Sequence, residues 1–170
     1  MKNNRNKWYV FYCKSRSEKK AKELLERFGY KVFLPLITER KKWSDRIKKV
    51  STPMFNGYIF IYTAVERFSK ICQISPQIVS VVKIGPKYAF LKQEEIDFLK
   101  LLEENDLKVI VQPKSINKQS KVTITNGPFA GKKGICIEEL GSNYFIIEIE
   151  ALNQEIKIRI HEAWIESSLA

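Results

Sequence analysis

The hydrophobic residues of this chain change their spacing near residue 107, and this change constrains the fold more than any other feature. Before it, strand-like runs alternate with stretches whose apolar residues recur every three or four positions, as on one face of a helix. After it, apolar residues occupy every second position in short segments separated by Gly or Asn turns. The sequence therefore predicts two domains, over residues 1–107 and 121–170, joined by a polar linker at 108–120.

The first domain is predicted to be α+β, with an antiparallel sheet flanked by helices. Predicted strands cover Lys7–Cys13, Lys31–Thr38, Gly57–Thr63 and Ile78–Ile84, and predicted helices cover Ser17–Phe28, Val65–Ile74 and Gln93–Glu104. Ser17 is expected to cap the first helix, whose apolar stripe comprises Ala21, Leu24, Leu25 and Phe28, and the inward side of the last helix is expected to carry Ile96, Leu99 and Leu102. The order β-α-β-β-α-β-α is typical of a split-βαβ arrangement. Glu39–Ser51 is highly charged, holds the exposed-looking Trp43, and is predicted to form a hairpin arm.

The second domain is predicted to be a small antiparallel β-barrel. Apolar and polar residues alternate strictly in three segments, at Val122 and Ile124, at Phe145, Ile147 and Ile149, and at Ile156, Ile158 and Ile160. A domain of about 50 residues is close to the lower limit for independent stability, so nearly all of its apolar residues are needed for the core.

Positive charge is concentrated at the start of the chain. Residues 1–49 hold 16 basic and 5 acidic residues, whereas residues 50–107 hold 6 and 7, and residues 108–170 hold 8 and 7. A field of this kind suggests a polyanionic partner such as nucleic acid, although a solvated basic surface is the simpler alternative. No apolar run is long enough for a signal peptide or a membrane span, so we expect a cytoplasmic protein without a membrane partner.

The residues favour neither catalysis nor a cofactor or metal. The chain has three distant cysteines, Cys13, Cys72 and Cys136, and a single histidine, His161, so a zinc site and a disulfide framework are not expected. The turn G-P-F-A-G-K-K-G resembles a phosphate loop only superficially. Three residues rather than four separate Gly127 from Gly131, and a lysine stands where the loop needs a hydroxyl. We expect a tight turn between strands, with Phe129 packed against the barrel.

This turn belongs to a longer resemblance. K-V-T-I-T-N-G-P-F-A-G-K-K-G resembles the KOW motif of ribosomal and transcription-elongation proteins, which implies that Gly127, Pro128, Phe129, Gly131 and Gly134 form the motif's turn. The first domain is similar to the N-terminal (NGN) domain of the NusG family in K-W-Y-V-F-Y-C-K, V-F-L-P-L and T-P-M-F-N-G-Y-I-F-I. The resemblance implies an NGN domain followed by a KOW domain, an SH3-like barrel. The arm E-R-K-K-W-S-D-R looks most like the specialised RfaH-like and capsule-operon (UpxY-like) antiterminators.

The resemblance implies a non-enzymatic transcription factor. In this family the first domain binds the clamp helices of the largest RNA polymerase subunit and spans the DNA cleft, which suppresses pausing or termination. The KOW domain recruits the termination factor Rho or a small-subunit ribosomal protein. Carried onto this sequence, the polymerase-binding patch comprises Tyr12, Phe55, Tyr58 and Phe60. The resemblance also implies that the non-template DNA strand is contacted by Lys14, Arg16, Lys20 and Arg27. The last three are predicted to share one face of a helix.

An RNA-binding or ribosome-associated function in translation is the alternative. It would pair a KOW module with an RRM-like first domain. An RRM displays the motif K/R-G-F/Y-G/A-F-V-x-F/Y, which G-Y-I-F-I-Y at 57–62 matches only loosely because the leading basic residue is missing. Co-elution with core RNA polymerase in the absence of RNA is expected only of the transcription factor.

Overall fold

The structure, a computed structural model, describes residues 6–105, 107–114, 120–139, 141–161 and 164–167. The chain divides into two compact units, residues 1–97 and 98–170. Among the residues described, none of the helices combines the length and the apolar character needed to span a bilayer.

The first unit is a mixed α/β unit built on an antiparallel sheet. Its elements are β1 (Lys7–Cys13), α1 (Glu18–Arg27), β2 (Lys31–Phe33), β3 (Leu36–Lys42), β4 (Ile47–Pro53), β5 (Tyr58–Thr63), α2 (Phe68–Ile74), β6 (Ile78–Val81), β7 (Lys83–Ile84), β8 (Lys87–Tyr88) and β9 (Phe90–Leu91). A third helix, α3 (Gln93–Glu104), begins in this unit and ends in the second. The main sheet has the order β2-β5-β1-β6, and β9 also pairs with β1. Because β5 is antiparallel to both β1 and β2, these two run parallel with one strand between them, which confirms the predicted split-βαβ arrangement.

Helices α1 and α2 contribute to one hydrophobic core with the strands. Ala21 and Leu25 of α1 and Ile71 of α2 are completely buried in a cluster that includes Phe11 and Ile59. Burial of a Leu, Ile or Phe side chain contributes about 1.5–3 kcal/mol, so the cluster is a main source of stability for the unit. The predicted inward side of α3 is confirmed, because Ile96, Leu99 and Leu102 are all buried.

Three local predictions for this unit are wrong. The predicted strand at 31–38 is interrupted between β2 and β3 at Leu34 and Pro35, where proline has no N–H to donate to a ladder. Ser17 precedes α1, but its side chain makes no capping hydrogen bond. Phe28 was expected to complete the apolar stripe of α1; it is 62% exposed because the helix ends at Arg27.

The second unit contains a six-stranded antiparallel sheet. Its strands are β10 (Val109–Pro113), β11 (Ser120–Ile124), β12 (Lys133–Glu139), β13 (Ser142–Ile149), β14 (Gln154–Arg159) and β15 (Ile165–Ser167), in the order β10-β14-β13-β12-β11-β15. Phe145, Ile149, Ile156 and Ile158 are buried, as the period of two predicted, whereas Ile147 is half-buried.

The predicted linker at 108–120 is corrected over its first half. Val109–Pro113 pairs in register with β14, with Val109 opposite Ile158 and Val111 opposite Ile156, so these residues are part of the sheet. Pro113 made this segment look like a connection, but it ends a strand at the edge of the sheet, where a missing N–H costs little. Residues 115–119 lie outside the described part of the chain.

Candidate functional site

Two tyrosines form an aromatic pair at one end of the main sheet. Tyr12 of β1 lies directly opposite Tyr58 of β5, and their ring centroids are 5.4 Å apart with the planes at 60°. Tyr12 is 42% exposed and Tyr58 is half-buried. Both belong to the predicted polymerase-binding patch. The pair therefore presents apolar ring surface and phenolic hydroxyls together, a combination common in protein interfaces.

Gly57 supports the Tyr12 ring. Its φ is +84°, and a Cβ built on it would lie 2.7 Å from Cε2 of Tyr12. The ring therefore packs directly on backbone that only glycine leaves uncovered. The backbone N–H of Cys13 also donates to the Gly57 carbonyl at 2.7 Å.

Phe55 and Phe60 do not face solvent, so the prediction of a four-ring exposed patch is wrong for these two residues. Phe55 is 1% exposed and Phe60 is completely buried. Their rings contact each other at 6.1 Å, and Phe60 also contacts Phe33 at 6.3 Å. The reason is that β5 lies in the interior of the sheet, where residues 59–61 are buried on both faces of the strand.

A buried glutamate, which the sequence analysis missed, joins α1 to the start of β5. Glu18 is 4% exposed, and its Oε1 accepts a hydrogen bond of 2.6 Å from the backbone N–H of Gly57. Its position three and seven residues before Ala21 and Leu25 places it on the buried stripe of α1, which is the signal that could have revealed it.

Cys13 lies near this carboxylate, and its thiol has low reactivity. Burial, and secondly the negative charge of Glu18, raises the pKa of the Cys13 thiol to about 12. Burial also raises the pKa of Cys72 and Cys136. Thiols of this kind remain protonated at neutral pH and are poor nucleophiles.

A cavity of about 470 Å³ opens beside Tyr12. Tyr12, Arg16, Glu18 and Lys19 line one side of it, and residues 51–53 and 56–57 line the other. Lys19 spans its edge, because its Nζ donates to the Ser51 carbonyl at 2.6 Å. The recess thus combines an aromatic wall, a buried carboxylate and two cations, and it can accept a polar side chain of a partner.

Of the three predicted DNA-binding residues expected on one helix face, Arg16 lies outside the helix. Arg16 precedes α1 and has a φ of +58°, so only Lys20 and Arg27 lie on the helix, seven residues apart. Lys14, Arg16, Lys20 and Arg27 are all exposed. Arg27 donates to Glu23 at 2.7 Å, which offsets part of its charge. Among these four residues, the cations available to meet a phosphate backbone therefore lie at the start of α1 rather than along it.

Strands β3 and β4 form a separate two-stranded sheet, which we call the cationic arm (Leu36–Pro53). The predicted hairpin is confirmed, and its turn is closed by a hydrogen bond of 2.8 Å from the Trp43 N–H to the Arg46 carbonyl. Trp43 is 59% exposed and Ile47 is 69% exposed. The arm therefore carries its charges and two apolar side chains into solvent.

Residues 125–132 connect β11 to β12 as a turn, whereas Gly134, which was predicted to belong to the turn, lies in β12 opposite Val122. Gly127 and Gly131 have φ values of +77° and +84°, and the Gly131 N–H donates to the Ile124 carbonyl at 2.7 Å. Phe129 is 1% exposed, as the sequence predicted. A Cβ on Gly134 would lie 2.6 Å from the Ile146 carbonyl oxygen, so this position excludes larger residues. Pro128, the remaining residue of the motif, is exposed in the turn.

Comparison with known proteins gives the family. A family described as "Transcription termination factor nusG" matches residues 6–100. The solved structure described as "Domain interaction in Thermotoga maritima NusG" is 22% identical, with 96% of this chain and 97% of that chain covered and a TM-score of 0.55. A chain of the MjSpt4:Spt5 complex in conformation A is 15% identical, with 94% and 96% covered and a TM-score of 0.33, which is too low to support an argument. The first likeness shows a shared fold. Because the family match covers more than half of the sequence, the chain belongs to the NusG family.

Proposed function

We propose that this chain is a transcription elongation factor that docks on RNA polymerase through Tyr12 and Tyr58 and touches DNA through nearby cations. Membership of the NusG family supports the general role. The pair of the exposed Tyr12, which lines a cavity, and the half-buried Tyr58 supports the assignment of the docking surface. Phe55 and Phe60 are not contacts in this proposal, because they are buried.

The mechanism is a shift of conformational populations. A factor that binds the closed clamp of RNA polymerase more tightly than the open clamp stabilises the closed state by the difference in binding free energy. A tenfold preference corresponds to about 1.4 kcal/mol, which is enough to change the lifetime of a pause. The clamp helices of the largest subunit are the proposed docking partner, and suppression of pausing or termination at one set of operons is the proposed outcome.

The cations contribute affinity for the elongation complex. Lys14, Arg16 and Lys20 are exposed near the cavity, and each phosphate contact adds salt-dependent binding to the non-template strand. The glycine turn and antiparallel sheet of the second unit support its assignment as a KOW barrel, for which Rho or a small-subunit ribosomal protein is the proposed partner.

Transcription in vitro through a terminator and a pause site, with and without the protein, tests the function. We expect greater read-through with the protein present.

Co-elution with DNA-free core polymerase tests the docking surface, with Tyr12→Ala/Tyr58→Ala as the variant and Phe28→Ala as the control for an exposed ring elsewhere. The double variant is expected to lose binding and the control to keep it. Unchanged binding by a folded double variant would remove the tyrosine pair from the proposal. Binding to ribosomes but not to polymerase would favour the translational alternative.

A further inference from the structure

The cationic arm has an unusual arrangement of like charges. Residues 36–53 contain six basic and two acidic side chains. The β3–β4 register places Arg40 directly opposite Lys49 and Lys41 directly opposite Lys48. Side chains in such pairs are about 4.5–5.5 Å apart at Cβ, and like charges at this distance repel each other. The repulsion is relieved when anions lie beside the pairs.

The two pairs lie on opposite faces of the arm. Successive side chains of a strand point to opposite faces, so the Arg40–Lys49 pair and the Lys41–Lys48 pair are on different sides. The first face also carries Thr38 and Ser51, whose hydroxyl oxygens are 3.1 Å apart. On the second face Lys41 is 4.0 Å from Glu39, a distance at which an exposed pair gains little. Both faces therefore remain cationic.

A ribbon with cations on both faces fits between two anionic walls. An arm lying flat on one anionic surface would use only one face and would leave the other pair repelling in solvent. The major groove of B-form DNA is about 12 Å wide, admits a two-stranded β-ribbon and has a phosphate backbone on each side. Sheets that pack face to face are about 10 Å apart, so a ribbon with side chains on both faces is about as thick as this groove is wide, and its two faces can meet the two backbones. The deep, narrow major groove of A-form RNA does not admit such a ribbon.

We propose that the cationic arm inserts as a β-ribbon into the major groove of duplex DNA. Arg40 and Lys49 contact one phosphate backbone and Lys41 and Lys48 contact the other. Trp43, exposed at the turn, enters first and makes apolar contact with base edges. This inference rests on the nucleic-acid part of the proposed function and does not involve the tyrosine pair.

The second hairpin of the first unit supplies a matched control. Strands β7 and β8 also form an isolated two-stranded sheet, and it carries Lys83 and Lys87. Unlike the arm's cations, Lys83 lies opposite Tyr88 and Lys87 lies opposite Ile84, so no two cations are paired. Neutralising these lysines removes the same charge from a similar element without touching the arm.

The proposal is tested by fluorescence anisotropy, which measures binding of the full chain to a labelled 20-base-pair DNA duplex. The titration is repeated at a series of salt concentrations, without polymerase. The variants are Arg40→Gln/Lys49→Gln, Lys41→Gln/Lys48→Gln and the control Lys83→Gln/Lys87→Gln. Each arm variant is expected to weaken binding and to lower the slope of log K against log salt by about 1.8, since each phosphate contact contributes about 0.9. The control is expected to keep the affinity and slope of the unmodified protein. Double-stranded RNA of the same sequence is expected to bind more weakly than DNA.

Loss of affinity from only one arm pair would overturn groove insertion, because it would show an arm that lies on a surface. An equal loss in the control, or equal binding of single-stranded DNA or double-stranded RNA, would overturn it as well. The same variants are expected to bind DNA-free polymerase normally. A Tyr12→Ala/Tyr58→Ala protein that retains duplex binding but loses polymerase binding would show that the two surfaces act separately, and a failure of one proposal can then be told from a failure of the other.

Discussion

Replacement of Gly57 by alanine is expected to destabilise the first unit and to displace Tyr12. Two costs add at this position. A φ of +84° strains an L-residue by about 1–2 kcal/mol. The new Cβ would also lie 2.7 Å from Cε2 of Tyr12, so the ring must move. Together we expect a loss of about 2–4 kcal/mol in the free energy of unfolding, within the range seen for steric crowding and backbone strain.

Gly29 is a control that separates these two costs. Its φ of +79° is nearly the same, but a Cβ there would meet nothing within 4 Å. Gly29→Ala is therefore expected to cost only the strain, about 1–2 kcal/mol. The difference between the two variants measures the contact with the tyrosine ring.

Urea denaturation of the four proteins in a Gly57→Ala and Tyr12→Ala cycle provides the measurement. In the Tyr12→Ala background, Gly57→Ala is expected to cost no more than Gly29→Ala, because the clashing ring is gone. Gly57→Ala is also expected to weaken polymerase binding, since it moves Tyr12, a proposed docking residue. A Gly57→Ala protein as stable as Gly29→Ala would refute the packing of Tyr12 on this glycine.

Three further outcomes are expected. Glu18→Ala leaves the Gly57 N–H without its acceptor and should lower the free energy of unfolding, measured by urea denaturation, by about 1–3 kcal/mol. Glu18→Gln keeps an acceptor oxygen and should lower it less. Equal losses in the two variants would contradict the role of this hydrogen bond. The pKa of Cys13 is raised from 9.0 to about 12 on folding, so its contribution to stability is constant below pH 9 and is lost between pH 9 and 12. The free energy of unfolding of Cys13→Ala should therefore fall less steeply over this pH range than that of the unmodified protein. Parallel curves of unfolding free energy against pH would exclude this linkage. Gly134→Ala should destabilise the second unit by about 1–3 kcal/mol and accelerate hydrogen exchange in β12 and β13. Unchanged exchange in these two strands would contradict the close approach of β13 to this glycine.

The sequence predicts elements well where a single period dominates. β1 and α3 begin and end where predicted, because the aromatic and β-branched run at 7–13 and the helical spacing of 93–104 each favour one structure. The split-βαβ order follows from those elements. The period does not report whether the second face of a strand is covered, which is why Phe60 was expected at the surface and is buried.

Other features depend on contacts between residues distant in the sequence. The strand at Val109–Pro113 forms only because β14 offers a partner 45 residues away, as in the pairing of Val111 with Ile156. The hydrogen bond between Glu18 and Gly57 joins residues 39 apart and has no local sequence signature other than an acid on an apolar stripe. The position of Arg16 outside α1 follows from its positive φ, a property that its residue type does not indicate.

The hydrogen bond between Glu18 and Gly57 has a consequence for how the two proposed partners are recognised together. It fastens the first turn of α1, with its neighbouring cations, to the backbone on which Tyr12 rests. The spacing between the proposed docking tyrosine and the proposed DNA-contacting cations is therefore fixed within the first unit. Under the proposed function, both sets of contacts would form together only on a complex whose displaced strand lies at this distance from the polymerase surface.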